Sequence, residues 1–570
     1  MRPLDWVVLC SWLVFIVSYG LWRGRGSRTV DNYLLAGKNM PWYAMGLSIM
    51  ATQAGAISFI STTGQAYTDG MRFVQFYFGL PIAMVIIAAT AVPIFHRARV
   101  YTAYEYLERR FDAKTRCLVS IVFLIERGLA VGVALYAPAV VLSVVLGWPD
   151  HVTTVVMGLL MVLYTASGGI KAVTWADVQQ MTLLFIALIL TLGVAIRLLP
   201  HDVSFRDALT VAGVAGRLKT VETHFDWSDR YSLWSGLIGG LFLALAYFGT
   251  DQSQVQRYLT GRSIAQSRLS LVFMAFTKIP MQLFILFVGA MVFVVFTFQA
   301  PPLLFNPSAL SMVHGSSRYP EIERRYRQAF QERAAAAREL IGHGSHATHD
   351  RAAAAAKYRQ AETRFESVRN EAQSLAAGMS GTAEFHDTNY IFISFIIGCL
   401  PVGVVGLVIG AIFSAGMSSI SGEVNSLATV SVIDIYRRYW VRNASDRHYL
   451  MASRLATVFW GLYAIAFASR GVSFGALIET VNIVGSLFYG SMLGVFVLAF
   501  AFRSVKGTAA FCGVLTGQAA VFLFAWLTPI SYLWYNLPGC LVTIGAGLAI
   551  SAVSARVAGP PPPKQPLPVV

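Results

Sequence analysis

The chain has 570 residues, of which 56% are hydrophobic and 13% charged, and its formal net charge is +15. Soluble proteins carry about 25% charged residues, so a string of soluble domains is excluded and a polytopic membrane protein with one large intramembrane domain is expected. The five cysteines (Cys10, Cys117, Cys399, Cys512, Cys540) are scattered, without a CxxC or Cys/His cluster, which argues against a disulfide framework, a zinc site or a catalytic thiol.

A helical span needs about 20 apolar residues. About thirteen such stretches follow one another, with cores near 5–22, 42–66, 73–95, 117–146, 151–168, 174–198, 233–255, 270–298, 389–433, 450–469, 473–501, 508–528 and 532–553. The first lacks a small-residue cleavage site and reads as a retained leader span. Alternate loops are rich in Lys and Arg, among them Arg23, Arg25, Arg28 and Lys38, then Arg97 to Arg116, then Arg437 to Arg454. By the positive-inside rule these loops are cytoplasmic, with the N-terminus outside and the C-terminus inside. The basic excess therefore reports topology, and no nucleic-acid binding is expected.

The second span, 42–66, is interrupted by Gly46, Gly55 and Gly64 and carries Thr52, Gln53, Ser58, Ser61, Thr62 and Thr63 at its middle. The seventh has Gly239, Gly240 and Gly249 before a polar end, TDQSQVQRYL. Gly-interrupted, polar-centred spans in corresponding halves mark a broken-helix binding site in transporters with inverted repeats. With the first span counted as a leader, this pair becomes core spans one and six of a five-plus-five arrangement. Glycine-mediated helix packing is the plainer alternative. Ionisable residues within spans are few: Glu126, Arg127, Asp177, Lys278, Glu423 and Glu479. Each is a functional candidate because its burial is costly. Adjacent on one helix, Glu126 and Arg127 point about 100° apart and are not expected to pair with each other.

Residues 299–388 form an extracytoplasmic insert with 11 basic and 10 acidic residues. Ile322, Tyr326 and Phe330, then Tyr358, Ala361, Phe365, Val368, Ala372 and Leu375, recur at helical spacing, so a helical hairpin over 315–385 is expected, turning at GHGSHATH. A protein partner for it is one expectation. His343, His346 and His349 read as a polar turn rather than a metal site. The segment 410–438, GAIFSAGMSSISGEVNSLATVSVIDIYRR, is apolar enough for a membrane yet crowds Ser414, Ser418, Ser419, Ser421, Glu423, Asn425 and Ser426 into its middle. Such groups must face protein or a water-filled cavity. The paired hydroxyls of Ser418 and Ser419 suit a small hard cation, although serines also serve close packing. Residues 1–298 thus hold the leader and core spans one to seven, 389–501 core spans eight to ten and 502–555 two trailing spans. The Pro-rich tail, 556–570, is expected to be disordered and cytoplasmic. No phosphate-binding loop, HExxH or GxSxG appears, and no enzyme is expected.

Three motifs resemble the sodium:solute symporter family: YTASGGIKAVTWADVQQ (164–180), YFGTDQSQVQRYLTGRS (247–263) and FSAGMSSISGEVNSLATVSVIDIY (413–436). The resemblance runs from about residue 5 to 505, apart from the insert. It implies an all-α, leucine-transporter-like fold of two inverted five-helix repeats, and a sodium ion held by the carbonyls of Ala51, Ala54 and Ala415 and the hydroxyls of Ser418 and Ser419. It suggests Asp177 and Ser421 for coupling or a second sodium, although Gly422 stands where members with two ions have a further hydroxyl. More weakly, it points to Gln53, Ser58, Thr63, Tyr247, Phe248, Lys278 and Asn482 as contacts to a small organic solute. Residues 92–111 and 135–143 are more similar to the monocarboxylate, iodide and multivitamin branch, which sets an organic acid or vitamin-like solute slightly ahead of a sugar. The expected activity is inward sodium-coupled uptake by alternating access, in the plasma membrane of a bacterium. A proton-coupled carrier on the same fold and a solute sensor acting through a partner are the alternatives.

Overall fold

A computed structural model describes residues 1–24, 29–342, 348–381, 385–469 and 476–557. His343 and His346 of the expected insert turn, and nearly all of the Pro-rich tail, lie outside the described residues. The described chain is helical, with one isolated bridge between Met40 and Gly261 and no strand. Ten of its helices are long and apolar enough to cross a membrane, and Asp150–Leu163, Ser235–Thr250 and Thr388–Cys399 are shorter apolar helices. The thirteen expected spans are not matched one for one, because glycine and proline divide several of them. The stretch 389–433 is two helices, Thr388–Cys399 and Val404–Val430, parted at Pro401 and at Gly403, where φ is +86°. Conversely, 151–168 and 174–198 lie within one element, Asp150–Arg197, kinked at Gly169 with φ of +64°. A Cβ there would sit 2.8 Å from the Tyr33 ring. Only glycine meets both demands.

Two helices break inside the fold. The first stops at Gln53, passes through Ala54 and an extended Gly55, and resumes as Ala56–Asp69. The second runs Gly240–Thr250, passes through an extended Asp251, and resumes as Gln252–Leu259 with all eight residues buried. The first packs on the long helix Ala113–Leu146 and the serine-rich helix Val404–Val430; the second meets Val404–Val430 through Gln252–Leu259 and reaches Ala113–Leu146 through Arg127, all in one apolar core. Around that core, Leu159, Leu163, Ile189, Phe276, Trp526 and Leu527 stand exposed on apolar helices. In water such a surface would be a liability; against lipid tails it is the expected boundary.

The insert comprises Tyr319–Gly342 and Thr348–Ser380, which pack side by side. Ile322, Tyr326 and Ala329 meet Phe365, Val368 and Ala372 in a small core of their own. Charged groups bolt it to the helices beneath. Arg333 donates to the Phe296 carbonyl and pairs with Glu362 at 3.4 Å. Arg217 pairs with Glu366 at 2.5 Å, and Arg369 with Asp387 at 3.2 Å.

Candidate functional site

The first helix break lies directly against the serine-rich helix. A Cβ added to Gly55 would fall 2.5 Å from Ser419 Oγ and 3.7 Å from the Ala415 carbonyl oxygen. Ser419 Oγ donates to that carbonyl at 2.8 Å. Ser418 Oγ is fully buried and has no hydrogen-bond partner. A helix that stops early leaves its last carbonyls without intrahelical partners. Here Ser58 Oγ satisfies Gln53 O at 2.7 Å, and Ala54 N–H satisfies Met50 O at 2.8 Å. Ala51 and Ala54, both buried, sit in the same turn. Neutral hydroxyl and carbonyl oxygens are the donor set that a small hard cation takes, and a buried hydroxyl without a partner is the vacancy in hydrogen bonding that such an ion fills. The residues fit sodium.

Beside the break lies a cavity of about 90 Å³, lined by Thr52, Gln53, Gly55, Ile57, Ser58, Phe76, Tyr77, Glu126, Arg127, Ala134, Leu243, Tyr247, Ser419, Glu423, Ile478, Val481, Asn482 and Tyr489. Of the expected solute contacts, Gln53, Ser58, Tyr247 and Asn482 are therefore brought together, with Ser419 of the expected ion position on the same wall. Thr63, Phe248 and Lys278 do not line the cavity. Thr63 spends its hydroxyl on its own helix, donating to Ile60 O at 3.2 Å, while its carbonyl is pressed against Gly289. Phe248 is fully buried behind Tyr247, ring centroids 4.8 Å apart. Lys278 is fully buried with Nζ 5.0 Å from the Tyr77 ring centroid, so Tyr77 stands between it and the cavity side.

Arg127 is the hub of the cavity's charged end. It pairs with Asp251 at the second helix break, with Glu423 at 3.2 Å and with Glu126 at 3.4 Å, and it donates to the Tyr489 hydroxyl. The expectation that Glu126 and Arg127 do not pair is thus corrected. The two Cα–Cβ vectors diverge, but the guanidinium arm is long enough to fold back toward its neighbour. Asp251 and Tyr489 escaped the sequence reading. Asp251 also caps the helix that resumes after it, accepting from Ser253 N–H at 2.8 Å. Tyr489 lies in an apolar span where nothing marks its hydroxyl.

Asp177 is buried and pairs with Arg257 at 2.7 Å; Ser48 also donates to it. Arg257 in turn abuts Gly422, where a Cβ would collide with its Nη2. The missing hydroxyl at 422 is therefore the space the guanidinium occupies. Ser421 Oγ donates to Ser418 O at 2.9 Å. Two further charged clusters close the ends of the bundle. On the insert side, Glu479 accepts from Gln65 Nε2 and Tyr231 OH, both at 2.9 Å, and pairs with Arg230. At the other end, Asp434 accepts from Thr102 at 2.8 Å and pairs with Arg116 at 2.6 Å.

Two broken helices, buried hydroxyl and carbonyl oxygens at the first break and an adjoining cavity are the features of a membrane carrier. The family model of the sodium:solute symporter family matches residues 33–317 and 372–517, and the chain belongs to that family. Its members are transporters rather than enzymes, and sodium coupling is a family property. The stretch between the two matched segments, 318–371, falls within the helical insert. The sodium-dependent multivitamin transporter of Oryctolagus cuniculus is 26% identical over 96% of this chain and 72% of its own length. The sodium/sialic acid symporter NanT of Aliivibrio fischeri is 25% identical over 95% and 92%. Among solved structures, a Na+-coupled sialic acid symporter in a substrate-bound outward-open state has a TM-score of 0.74 at 24% identity, covering 97% of this chain and 98% of that one. That likeness shows the fold.

Proposed function

We infer that this protein couples inward sodium movement to uptake of a small organic solute, with the ion held by the Ala51, Ala54 and Ala415 carbonyls and the Ser418 and Ser419 hydroxyls. The observation that carries this is the seating of the Ala54–Gly55 break on Ser419 and Ala415, beside an unpartnered Ser418 hydroxyl. Ser419 lies on both the ion position and the cavity wall, and Gln53 and Ser58 hang from the two halves of the broken helix. Ion binding would fix the break and with it the solute contacts. Each ligand then raises the other's affinity by the same factor. Low internal sodium empties the site and releases the solute. Membrane potential, at about 2.3 kcal/mol per charge per 100 mV, drives roughly 50-fold accumulation per sodium.

The insert and the N-terminus are assigned to the outside and the C-terminus to the cytoplasm, on the distribution of Lys and Arg among the loops, in a bacterial inner membrane. Asp177 serves coupling through Arg257, which already matches its charge. The test is uptake into proteoliposomes under an inward sodium gradient, with Ser418→Ala and Ser419→Ala compared with the native protein. Sodium-independent uptake, or unchanged sodium dependence in both variants, sinks the assignment.

A further inference from the structure

The charged end of the cavity is unbalanced. Glu126, Asp251 and Glu423 converge on one guanidinium, that of Arg127. A sodium ion at Ser418 and Ser419 still leaves one carboxylate charge unmatched. Glu126 is 1% exposed and Glu423 6%, so water does not carry that charge. Both oxygens of Glu126, Oε2 of Glu423 and Oε1 of Gln53 have no hydrogen-bond partner, and all three side chains line the cavity. Tyr489 lies close to both Glu126 and Asp251 but has one proton, which it donates to Asp251 at 3.1 Å, so it cannot satisfy both acids. Ionised carboxylates accept hydrogen bonds and cannot donate them, and an uncompensated buried charge is costly. With the three acids ionised, the wall presents unfilled acceptors and surplus negative charge, which a cationic group would stabilise against protonation. Around them stand the rings of Phe76, Tyr77, Tyr247 and Tyr489.

We propose that the transported solute carries a protonated amine, whose N–H groups are bound by Glu126 and Glu423 with the Gln53 carbonyl oxygen. This rests on the reading of the cavity as the solute site. It departs from the organic acid favoured by residues 92–111 and 135–143. A solute carboxylate would meet an Arg127 already engaged by three acids and would add to the surplus charge. A zwitterion remains compatible, provided its ammonium lies at the Glu126 end and its carboxylate toward Ser58 or Asn482.

The test compares probes of one shape and different charge on the purified full-length protein. Thermal stability is measured with butylamine, butan-1-ol and butyrate, with phenethylamine and its alcohol and acid counterparts, and with 4-aminobutyrate. Each is run in sodium chloride and in potassium chloride at equal ionic strength. The expected result is a saturable rise in melting temperature with an amine of at least one set, absent for its alcohol and its carboxylate. In Glu126→Gln the amine should bind about tenfold more weakly or worse, the cost of losing a charge-assisted hydrogen bond. If that variant does not fold, the comparison of probes on the native protein decides alone. Carboxylates or alcohols that stabilise as well as the amines, or no response to any amine, overturn the proposal. A native protein that responds to amines but shows no sodium-specific stabilisation overturns the sodium-site reading and leaves the amine assignment standing.

Discussion

Gly55 and Ser419 meet so closely that the glycine has no room for a side chain: a Cβ would lie 2.5 Å from the serine Oγ. The two residues belong to different helices, 364 positions apart in the chain. Their contact joins the unwound turn of one to the hydroxyl pair of the other. Gly55 is therefore held by close approach rather than by a left-handed backbone, since its φ is −71°.

Gly55→Ala should insert and fold, because the clashing atom is the end of a side chain that can rotate. Rotation takes Ser419 Oγ away from the Ala415 carbonyl and out of the ion position. The concentration of sodium giving half-maximal uptake should rise about tenfold, equivalent to about 1.4 kcal/mol. An unchanged sodium dependence would place the ion elsewhere.

Ser418→Ala should separate stability from function. The native hydroxyl is buried and unpartnered, a state that costs about 1–3 kcal/mol without an ion. In sodium-free buffer the variant should melt at the same temperature as the native protein or higher. In sodium it should lose the stabilisation that the native protein gains by linkage. Equal sodium responses in the two proteins would count against the ion position.

Arg127→Met should be among the most damaging single substitutions. It leaves Glu126, Asp251 and Glu423 buried without a cation, and breaking a buried pair typically costs about 3–5 kcal/mol. Low yield of folded protein and a lower melting temperature are the expected readouts in detergent. Asp251→Asn, which leaves Arg127 two acid partners, should be milder.

In the insert, Arg333→Met should destabilise because Glu362 is left with only the 3.8 Å approach of Arg217. The double variant Arg333→Met/Glu362→Leu should recover most of that loss, since a buried pair replaced by apolar groups of similar volume is often neutral. A double-mutant cycle on melting temperature measures the coupling. Additive effects would show that the pair does not act as a unit.

Acid should loosen the end of the bundle opposite the insert. Burial alone would raise the Glu108 carboxyl, but hydrogen bonds from Arg438 and Arg116 outweigh it and hold the group below its ordinary value of 4.5. A depressed carboxylate stabilises the folded state above its ordinary value, and that contribution is lost as pH falls through the lowered one. Protease accessibility of the Arg437–Arg442 segment should rise below about pH 4.5. In Glu108→Gln it should be higher at neutral pH and lack that step.

Much of the architecture was legible because a membrane penalises misplaced polarity. Glycine and serine inside an apolar run have few explanations in hydrocarbon, so the break near Gly55, the break at the end of the seventh span and the Ser418–Ser419 pair stood out. The hairpin was legible for the opposite reason: a charged stretch with apolar residues at three- and four-residue spacing has few other ways to bury them.

Spans alone misjudged continuity. Gly169 bends one long element without ending it, while Pro401 and Gly403 end a helix inside what reads as one apolar run. The solute positions divided for a related reason. Gln53, Ser58, Tyr247 and Asn482 reach the cavity, whereas Thr63, Phe248 and Lys278 do not. Which way a residue faces depends on how its helix is rotated against its neighbours, and sequence order does not contain that angle.

By itself, then, the sequence determined that this chain lives in a membrane, and it marked the glycine-interrupted spans and the Ser418–Ser419 pair as candidates for a broken-helix ion site. Each of those follows from the local cost of polar groups and backbone in lipid. Only the tertiary structure decided that Arg127 gathers Glu126, Asp251 and Glu423, and that Glu126 and Glu423, with their unpartnered oxygens, line the same cavity as Ser419. These groups are scattered across about 300 residues of chain. The charge balance among them exists only once packing has excluded water and lowered the local dielectric, so that one guanidinium must answer for three carboxylates.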